Sequence, residues 1–267
     1  MPLKRDWADM TSGDFSGDTA SWIAVLPVAA VEQHGPHLPV GTDTFIAEAY
    51  LTRIRNLVPE ALPVTFLPVQ AIGASDEHRA FAGTLTLSAD TLIAGLRQIA
   101  ESVRRAGIRK LVIANSHGGN AAALDIVALD LRVRLGMLAV TCSFSKLGYP
   151  DGLFADAERT HGIHGGDIET SIMLAARPAL VRREHAANFI PATVAMAQDF
   201  KWLGAHHPAG FGWMSQDLHP SGAMGDATKA TAEKGEAALA FGAQAAVALL
   251  AEVDRFDLAQ LGKGSVG

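Results

Sequence analysis

The chain has 267 residues, of which 49% are hydrophobic and 19% are charged, and its formal net charge is -6. This balance argues against a nucleic-acid binder, which would show a clustered basic excess. A single cysteine excludes a disulfide scaffold and a cysteine-rich zinc site. The N-terminal segment lacks the apolar core of a signal peptide, so we expect a cytoplasmic protein. The length fits a single domain over residues 1–267, with its core at about 20–255.

Short apolar runs rich in β-branched residues predict strands that are covered on both faces. In chain order they are residues 22–28, 64–69, 110–114 and 137–144. Helical patterns alternate with them at residues 44–57, 88–106, 121–135, 167–176 and 228–253. Ser88 is suited to cap the second helix, and Gly107 is suited to end it. The alternation predicts an α/β fold with a largely parallel sheet and helices on both faces.

Two later segments differ from this pattern. Residues 189–225 hold two tryptophans and several glycines and prolines, and predict a long irregular excursion that serves function or subunit contacts. Residues 237–251 are apolar except for Gln244. This run is shorter than the ~20 residues that a bilayer span needs. It therefore predicts a packed C-terminal helix and no membrane association.

Polar clusters follow three of the predicted strands, at residues 32–43, 73–78 and 115–120. The carboxyl ends of parallel strands share one edge of a sheet, and ligands bind there. We therefore expect residues that are far apart in sequence to meet at this edge. A further cluster at residues 160–171 adds His164 and Glu169.

The clusters together supply nitrogen and oxygen ligands for a metal. Glu32 and His34 can face one ion from an extended segment, because alternate side chains of a strand point the same way. Asp43 closes the same loop, His117 is flanked by glycines, and Glu169 belongs to the later cluster. Two histidines with three carboxylates suit Zn, Mn or Fe(II). Five ligands fit two ions about 3.5–4 Å apart that share one carboxylate, for which Asp43 is central.

Other chemistry-bearing residues have ordinary interpretations. The isolated histidines are expected to be solvated or structural, namely His37, His185, His206, His207 and His219. Residues 76–78 fit a substrate-side loop and a plain polar turn equally well. Cys142 lies inside a predicted strand and is expected to be part of the core.

Several motifs together resemble the creatininase (creatinine amidohydrolase) family. They are residues 32–39 with 41–43, residues 115–120 and residues 164–171, and residues 227–228 and 232–235 are similar to its C-terminal signature. The match runs in order from about residue 22 to 250. The resemblance implies a three-layer α/β/α domain, commonly assembled as a homo-hexamer. It also implies a dinuclear metal hydrolase of C–N bonds outside ordinary peptides.

The resemblance also implies a ligand set. Glu32, Asp43 and His117 would hold one metal, and His34, Asp43 and a glutamate would hold the other. In creatininase that glutamate lies two residues after the histidine that corresponds to His117.

This chain has Gly119 at that position, and we predict that Glu169 replaces the missing ligand. His164 would carry a proton to the leaving nitrogen, so His164 and Glu169 are the predicted catalytic residues. The backbone N–H groups of Gly118 and Gly119 are candidates to stabilise an oxyanion.

The expected substrate contacts are Ser75, Glu77, His78 and Gly118. Creatininase has a tyrosine where this chain has Gly118, and a tryptophan and acidic residues where it has Thr160, His161 and Ile163. These departures argue against creatinine as the substrate.

We therefore expect an amidohydrolase that cleaves a formamide, a cyclic amide or a similar small molecule through a metal-activated water. The alternatives are a family-related peptidase that trims a short peptide and a non-catalytic small-molecule binding protein on the same fold. A two-metal phosphatase is a further rival, although no arginine cluster lies near the motifs.

Overall fold

The computed structural model describes residues 3–206 and 208–262. Within these residues the centre is a parallel sheet of four strands in the order β2-β1-β3-β4. The strands are β1 (Ile23–Val28), β2 (Val64–Phe66), β3 (Lys110–Asn115) and β4 (Leu138–Ser143). The first residues of all four strands pair in register, as Ile23 does with Val64 and Lys110. The carboxyl ends of the strands therefore share one edge.

Five helices cover the two faces of the sheet, namely α1 (Thr42–Leu57), α2 (Ala89–Arg105), α3 (Ala121–Leu135), α5 (Asp167–Ala176) and α8 (Ala232–Arg255). Three short helices lie in the described connections, namely α4 (Asp156–His161), α6 (Thr193–Asp199) and α7 (Ser215–Leu218). Strand β1 alternates between the two cores: Ile23 and Val25 pack toward α1, α5 and α8, and Ala24 and Leu26 pack toward α2 and α3. The predicted three-layer α/β/α architecture is confirmed.

Helix boundaries follow local capping. The Ser88 hydroxyl accepts a hydrogen bond from the Thr91 N–H at 3.3 Å, and Gly107 has a φ of 92° just beyond the end of α2. Helix α8 begins at residue 232 and not at 228, because the Thr231 hydroxyl caps it by accepting the Lys234 N–H at 3.2 Å. Residues 227–229 form a separate short turn.

Residues 189–225 are less irregular than predicted. They contain α6 and α7, and two short strand pairs lie within or next to them. Strand β5 (Asn188–Phe189) pairs antiparallel with β8 (Gly225–Asp226), and β6 (Leu203–Gly204) pairs with β7 (Ala209–Gly210). These elements are too short to give a periodic sequence pattern, so composition alone could not reveal them.

Helix α8 is long and apolar enough to cross a membrane by length and composition. In the fold it instead packs against α1 and α5, and it buries residues that include Leu239, Ala243 and Leu250. A core helix meets the same length and composition criteria as a membrane span, and the packing explains its apolar sequence.

Candidate metal centre

Asn120 ties together the loops that follow β1, β2 and β3. Its Nδ2 donates to the carbonyl of Ala29 and to the Asn115 Oδ1, both at 3.1 Å, and its Oδ1 accepts the N–H of Ala74 at 2.9 Å. The side chain is fully buried, so these bonds satisfy groups that water cannot reach. The three strand ends therefore form one continuous rim.

His117 is oriented by this rim. Its backbone exchanges hydrogen bonds with the side chain of Asn115, at 2.6 and 3.2 Å. The carbonyl of Ala74 can only accept, so the ring Nε2 at 2.9 Å carries the hydrogen and donates it. The Nδ1 lone pair is left to face Glu32 Oε1 at 3.1 Å and Asp43 Oδ2 at 3.6 Å. A fixed tautomer of this kind is typical of a metal-ligating histidine.

His34 is held in the opposite tautomer. Its Nδ1–H donates to the carbonyl of Glu32 at 3.0 Å, which leaves Nε2 facing Asp43 Oδ1 and Glu169 Oε2, each at 3.7 Å. Asp43 lies in the first turn of α1 and turns one carboxylate oxygen toward His34 and the other toward His117. This is the arrangement expected of a bridging carboxylate.

Several of these atoms are buried without a hydrogen-bond partner among the described residues, namely both oxygens of Glu32, His34 Nε2 and Asp43 Oδ2. When His34 is neutral, as a metal ligand must be, all four atoms present lone pairs and cannot satisfy one another by hydrogen bonding. An unpartnered buried polar group costs about 1–3 kcal/mol, and more when it is charged. Cations bound among these atoms would remove that cost. The donor set therefore fits divalent metal ions of the Zn, Mn or Fe type.

Three overlapping residue groups offer one ligand atom each within 4.8 Å of one another. They are Glu32–His34–His164, Glu32–Glu77–His117 and His34–Asp43–Glu169. The third group contains the glutamate that the sequence predicts as the replacement ligand. Glu169 lies beside His34 and Asp43, on the opposite side of Asp43 from His117.

The electrostatics of the centre favour bound cations. Burial by itself would lower the pKa of both His34 and His117, but the surrounding carboxylates outweigh it. Asp43 is the main neighbour that raises the pKa of His34, to about 9, and Glu32 is the main one that raises the pKa of His117, to about 10. Burial also raises the pKa of Glu169, to about 7. In the metal-free chain, protons therefore occupy the places that metal ions would take.

His164 sits over this group of carboxylates. Its ring Nε2–H donates to the carbonyl of Gln33 at 2.5 Å, so Nδ1 keeps its lone pair and lies 3.7 Å from Glu32 Oε1. Burial, followed by the nearby charges of His34 and His78, lowers its pKa well below the usual 6.5. The ring is therefore neutral, with an unprotonated Nδ1.

Gln33 is a buried positioning residue to which the sequence reasoning gave no role. Its Oε1 accepts the N–H of Gly35 at 2.9 Å, which fixes the amide orientation. Its Nε2 then donates to the carbonyl of Gly222 at 3.0 Å and to His78 Nδ1 at 2.7 Å. His78 must therefore carry its hydrogen on Nε2, which lies 3.2 Å from Glu32 Oε1. An amide between two candidate ligands in the sequence is the signal that could have revealed this role.

Helix α8 holds α5, and with it Glu169, in position. Lys234 pairs with Asp167 at the start of α5, at 2.6 Å. Gly235 lies so close to α5 that a Cβ there would be 1.9 Å from a backbone oxygen of that helix. The Glu169 carboxylate accepts the N–H of Gly165 at 2.6 Å, just before α5. Lys234 and Gly235, which belong to the C-terminal motif, therefore hold α5 in the position that brings Glu169 to the centre.

Comparison with known proteins identifies the family. Residues 8–250 match the family model described as creatinine amidohydrolase. The chain belongs to the creatininase family. It is 33% identical over 246 residues to the mycofactocin precursor peptide peptidase of Mycobacterium tuberculosis, covering 88% of this chain and 86% of that protein. It is 28% identical to the creatinine amidohydrolase of Pseudomonas putida, covering 86% and 88%.

A solved structure of a creatininase mutant, of Zn–Zn type, superposes with a TM-score of 0.72 at 26% identity, covering 93% of this chain and 98% of that one. This creatininase-family protein is therefore a member of a group of hydrolases that act on carbon–nitrogen bonds. The identification agrees with the predicted membership of the family outside creatininase itself.

In this creatininase-family protein, the four predicted substrate contacts lie in different environments. Glu77 is at the rim with its side chain 20% exposed, and Gly118 is exposed at the start of a short turn. His78 is buried and stacks on His164 with ring centroids 4.2 Å apart. Ser75 is fully buried, and its hydroxyl lies 3.4 Å from His117 Nε2, behind the ring.

The isolated histidines have structural or solvent-facing environments. His37 is fully buried, with Nε2 between the carbonyl of Gly165 and the Thr170 hydroxyl, and His185 is exposed. His219 contacts the Ser221 hydroxyl at 2.8 Å, and His206 packs edge-on against Trp213. His207 lies outside the described residues. Cys142 is half-buried in β4, where burial raises its pKa to about 11.

Proposed function

We propose that this protein is a dinuclear metal-dependent amidohydrolase that cleaves the C–N bond of a small-molecule amide, such as a formamide or a cyclic amide. The observation that carries the proposal is the set of buried lone-pair atoms without partners that face one space. Glu32, Asp43 and His117 would hold one divalent ion, and His34, Asp43 and Glu169 would hold the other. The Zn–Zn form of a structural relative supports two ions.

Bound ions would lower the pKa of a water molecule and polarise the amide carbonyl. The protein's own groups would handle the protons and orient the substrate. His164 is anchored through Nε2–H, so its Nδ1 is free to accept a proton from the attacking water and to deliver it to the leaving nitrogen. The exposed backbone of Gly118 and Gly119 lies at the rim, where its N–H groups would meet a developing oxyanion.

A second candidate is a peptidase that trims a short peptide. The observation that favours it is the 33% identity to the mycofactocin precursor peptide peptidase over most of both chains. Both reactions attack an amide carbonyl, and the same centre would serve either. The two candidates differ in the length of substrate that the surrounding surface accepts.

A substrate screen on metal-loaded enzyme tests these proposals. The protein is purified without a metal-affinity column, loaded with Mn or Zn, and assayed on formamides, cyclic amides, short peptides and phosphate esters. Turnover of the first two classes supports the main proposal, and turnover of peptides alone supports the second. Phosphate-ester hydrolysis without amide hydrolysis would contradict both.

Metal content separates an enzyme from a binding protein on this fold. We expect His34→Ala to lose bound metal and activity together, because Nε2 of His34 is one of the unpartnered atoms. Activity retained by metal-free His34→Ala protein would refute the mechanism. Less than one ion per wild-type chain, together with no turnover, would favour the non-catalytic alternative.

We also propose a cytoplasmic homo-oligomer, with a hexamer as the favoured state. Support comes from an apolar stripe on α3, where Ile126, Leu129 and Val133 are 52%, 67% and 72% exposed. Their spacing places them on one face of the helix, and exposed apolar patches mark association surfaces. Light scattering on Leu129→Glu protein tests this face. An unchanged oligomer would exclude the face as an interface, and a monomeric wild type would contradict the assembly.

A further inference from the structure

Glu77, a carboxylate at the rim, has no part in the two three-residue ligand sets proposed above. Glu77 lies with its Oε1 3.5 Å from His117 Nε2 and 4.0 Å from His78 Nε2. Glu32, Glu77 and His117 each offer a ligand atom within 4.8 Å of the others. In the same group, Glu32 is fully buried, and neither of its oxygens accepts a well-aligned hydrogen bond from the described residues, although His78 Nε2 lies 3.2 Å from Oε1. An unpartnered, buried carboxylate thus shares this group with Glu77.

Gly119 makes the room that Glu77 occupies. A Cβ at position 119 would lie 2.3 Å from Glu77 Oε1, 2.4 Å from His117 Nε2 and 2.7 Å from the carbonyl oxygen of Ala74. Gly119 is not among the glycines with positive φ, so its backbone conformation does not require glycine. The close approach of the Glu77 carboxylate and the His117 ring does require it.

The loop that carries Glu77 is fixed to the rest of the centre. Glu77 is the middle residue of the short helical turn Asp76–His78. Just before the turn, the N–H of Ser75 donates to the Thr86 hydroxyl at 2.8 Å, and Asn120 accepts the N–H of the preceding residue. The Glu77 carboxylate is therefore presented by an anchored turn, as a metal ligand must be.

Each histidine of the centre has a carboxylate at the solvent border, but on different edges of the ring. The 23% exposed carboxylate of Glu169 lies 3.7 Å from the lone-pair nitrogen Nε2 of His34. The 20% exposed carboxylate of Glu77 lies 3.5 Å from Nε2 of His117, whereas Nδ1 of that ring faces Glu32 and Asp43. Each side of Asp43 thus combines an imidazole with a carboxylate that borders solvent.

We propose that Glu77 is a further ligand of the ion on the Glu32–His117 side. The inference rests on the proposed dinuclear centre and extends it. This ion would then have three carboxylates and one imidazole, whereas the ion at His34 would have two carboxylates and one imidazole. The extra negative ligand makes the Glu32–His117 side the tighter of the two, with more oxygen in its donor set.

Metal titration of matched variants tests the role of Glu77. Metal-free wild type, Glu77→Gln and Asp76→Asn are titrated with Mn²⁺ or Zn²⁺ against a chromophoric chelator, and bound metal is counted by mass spectrometry after desalting. Asp76 is the exposed neighbour, with its side chain 58% accessible and paired with Arg79. We expect two ions in wild type and Asp76→Asn. In Glu77→Gln we expect one affinity to fall about 10- to 100-fold.

Two further variants identify the side that is weakened. Glu169→Gln should weaken the other ion, so the Glu77→Gln and Glu169→Gln double variant should retain less than one ion per chain. Glu77→Asp keeps the charge and should recover part of the affinity. Circular dichroism checks that each variant is folded.

The outcomes separate this inference from the proposed function. A wild type that binds no metal would refute the dinuclear centre itself. Two ions in wild type with unchanged affinities in Glu77→Gln would overturn the role of Glu77 alone, even if activity falls. In that case the carboxylate acts on the substrate and not on the metal.

Discussion

Substitution of Gly235 by alanine tests the contact that positions Glu169. A Cβ at this position would lie 1.9 Å from the Ser171 carbonyl oxygen and 2.4 Å from its carbonyl carbon, whereas real Cβ contacts essentially never fall under 3.0 Å. The clash is with backbone, so no side-chain rotation relieves it. Helices α5 and α8 would have to separate by about 1 Å in a close-packed interior. Overpacking of this kind costs about 1–3 kcal/mol.

Gly95 is the matched control. It lies in the middle of α2, is exposed, and would place a Cβ with no atom within 4 Å. Alanine in a helix is favoured over glycine by roughly 0.5–1 kcal/mol. We therefore expect Gly95→Ala to raise the free energy of unfolding by about that amount, and Gly235→Ala to lower it by about 2 kcal/mol.

The assay is urea unfolding of the metal-free protein at one fixed concentration, followed by far-ultraviolet circular dichroism. Metal content provides a second measurement, because displacement of α5 moves Glu169. Gly235→Ala should weaken binding of the ion at His34 more than binding of the ion at His117. If Gly235→Ala proves as stable as Gly95→Ala, α8 does not pack this closely on α5, and the explanation for the position of Glu169 is wrong.

Three further predictions concern the centre directly. Asp43→Asn should lose both ions, because its two oxygens face different histidines, whereas Glu169→Gln should lose one. Mass spectrometry counts the ions bound to each variant. If both variants lose the same number of ions, Asp43 does not bridge the two metals. Carboxylates raise the pKa of His34 to about 9 and of His117 to about 10, so their protonated forms stabilise the metal-free fold. That stabilisation is fully present below pH 6.5 and is lost as the pH rises through 9 to 10. The urea midpoint of the metal-free protein should therefore fall over this pH range. A midpoint that rises would contradict the raised pKa values of His34 and His117. Asn120→Ala leaves buried backbone groups of two loops without a hydrogen-bond partner. It should lower the free energy of unfolding by about 2 kcal/mol or more, as measured by urea unfolding. It should also weaken metal binding, as measured by competition with a chelator.

The sequence predicted the meeting of Glu32, His34, Asp43 and His117 from a simple topological rule. Alternating strands and helices imply a parallel sheet, and polar residues after its strands then lie at one edge. The structure brings these four side chains together at that edge. Periodicity sufficed here because β1 and β3, which precede these residues, are each continuous runs of six buried residues.

The supporting residues depend on tertiary contacts that no local pattern encodes. Gln33 bonds across 189 positions to Gly222, and Asn120 bonds across 91 positions to Ala29. Ser75 points to Nε2 of His117, at 3.4 Å, and this orientation depends on the backbone conformation of a short turn. The start of α8 is a different case, because Thr231 before the helix is a capping signal present in the sequence.

The support of α5 by the last long helix has a consequence for biosynthesis. Glu32, His34, Asp43 and His117 all lie in the first half of the chain, while α8 begins only at residue 232. Until α8 docks, α5 lacks the contacts with Lys234 and Gly235 that hold Glu169 in position. A nascent chain therefore carries the other four candidate ligands well before the helix that supports Glu169 is made.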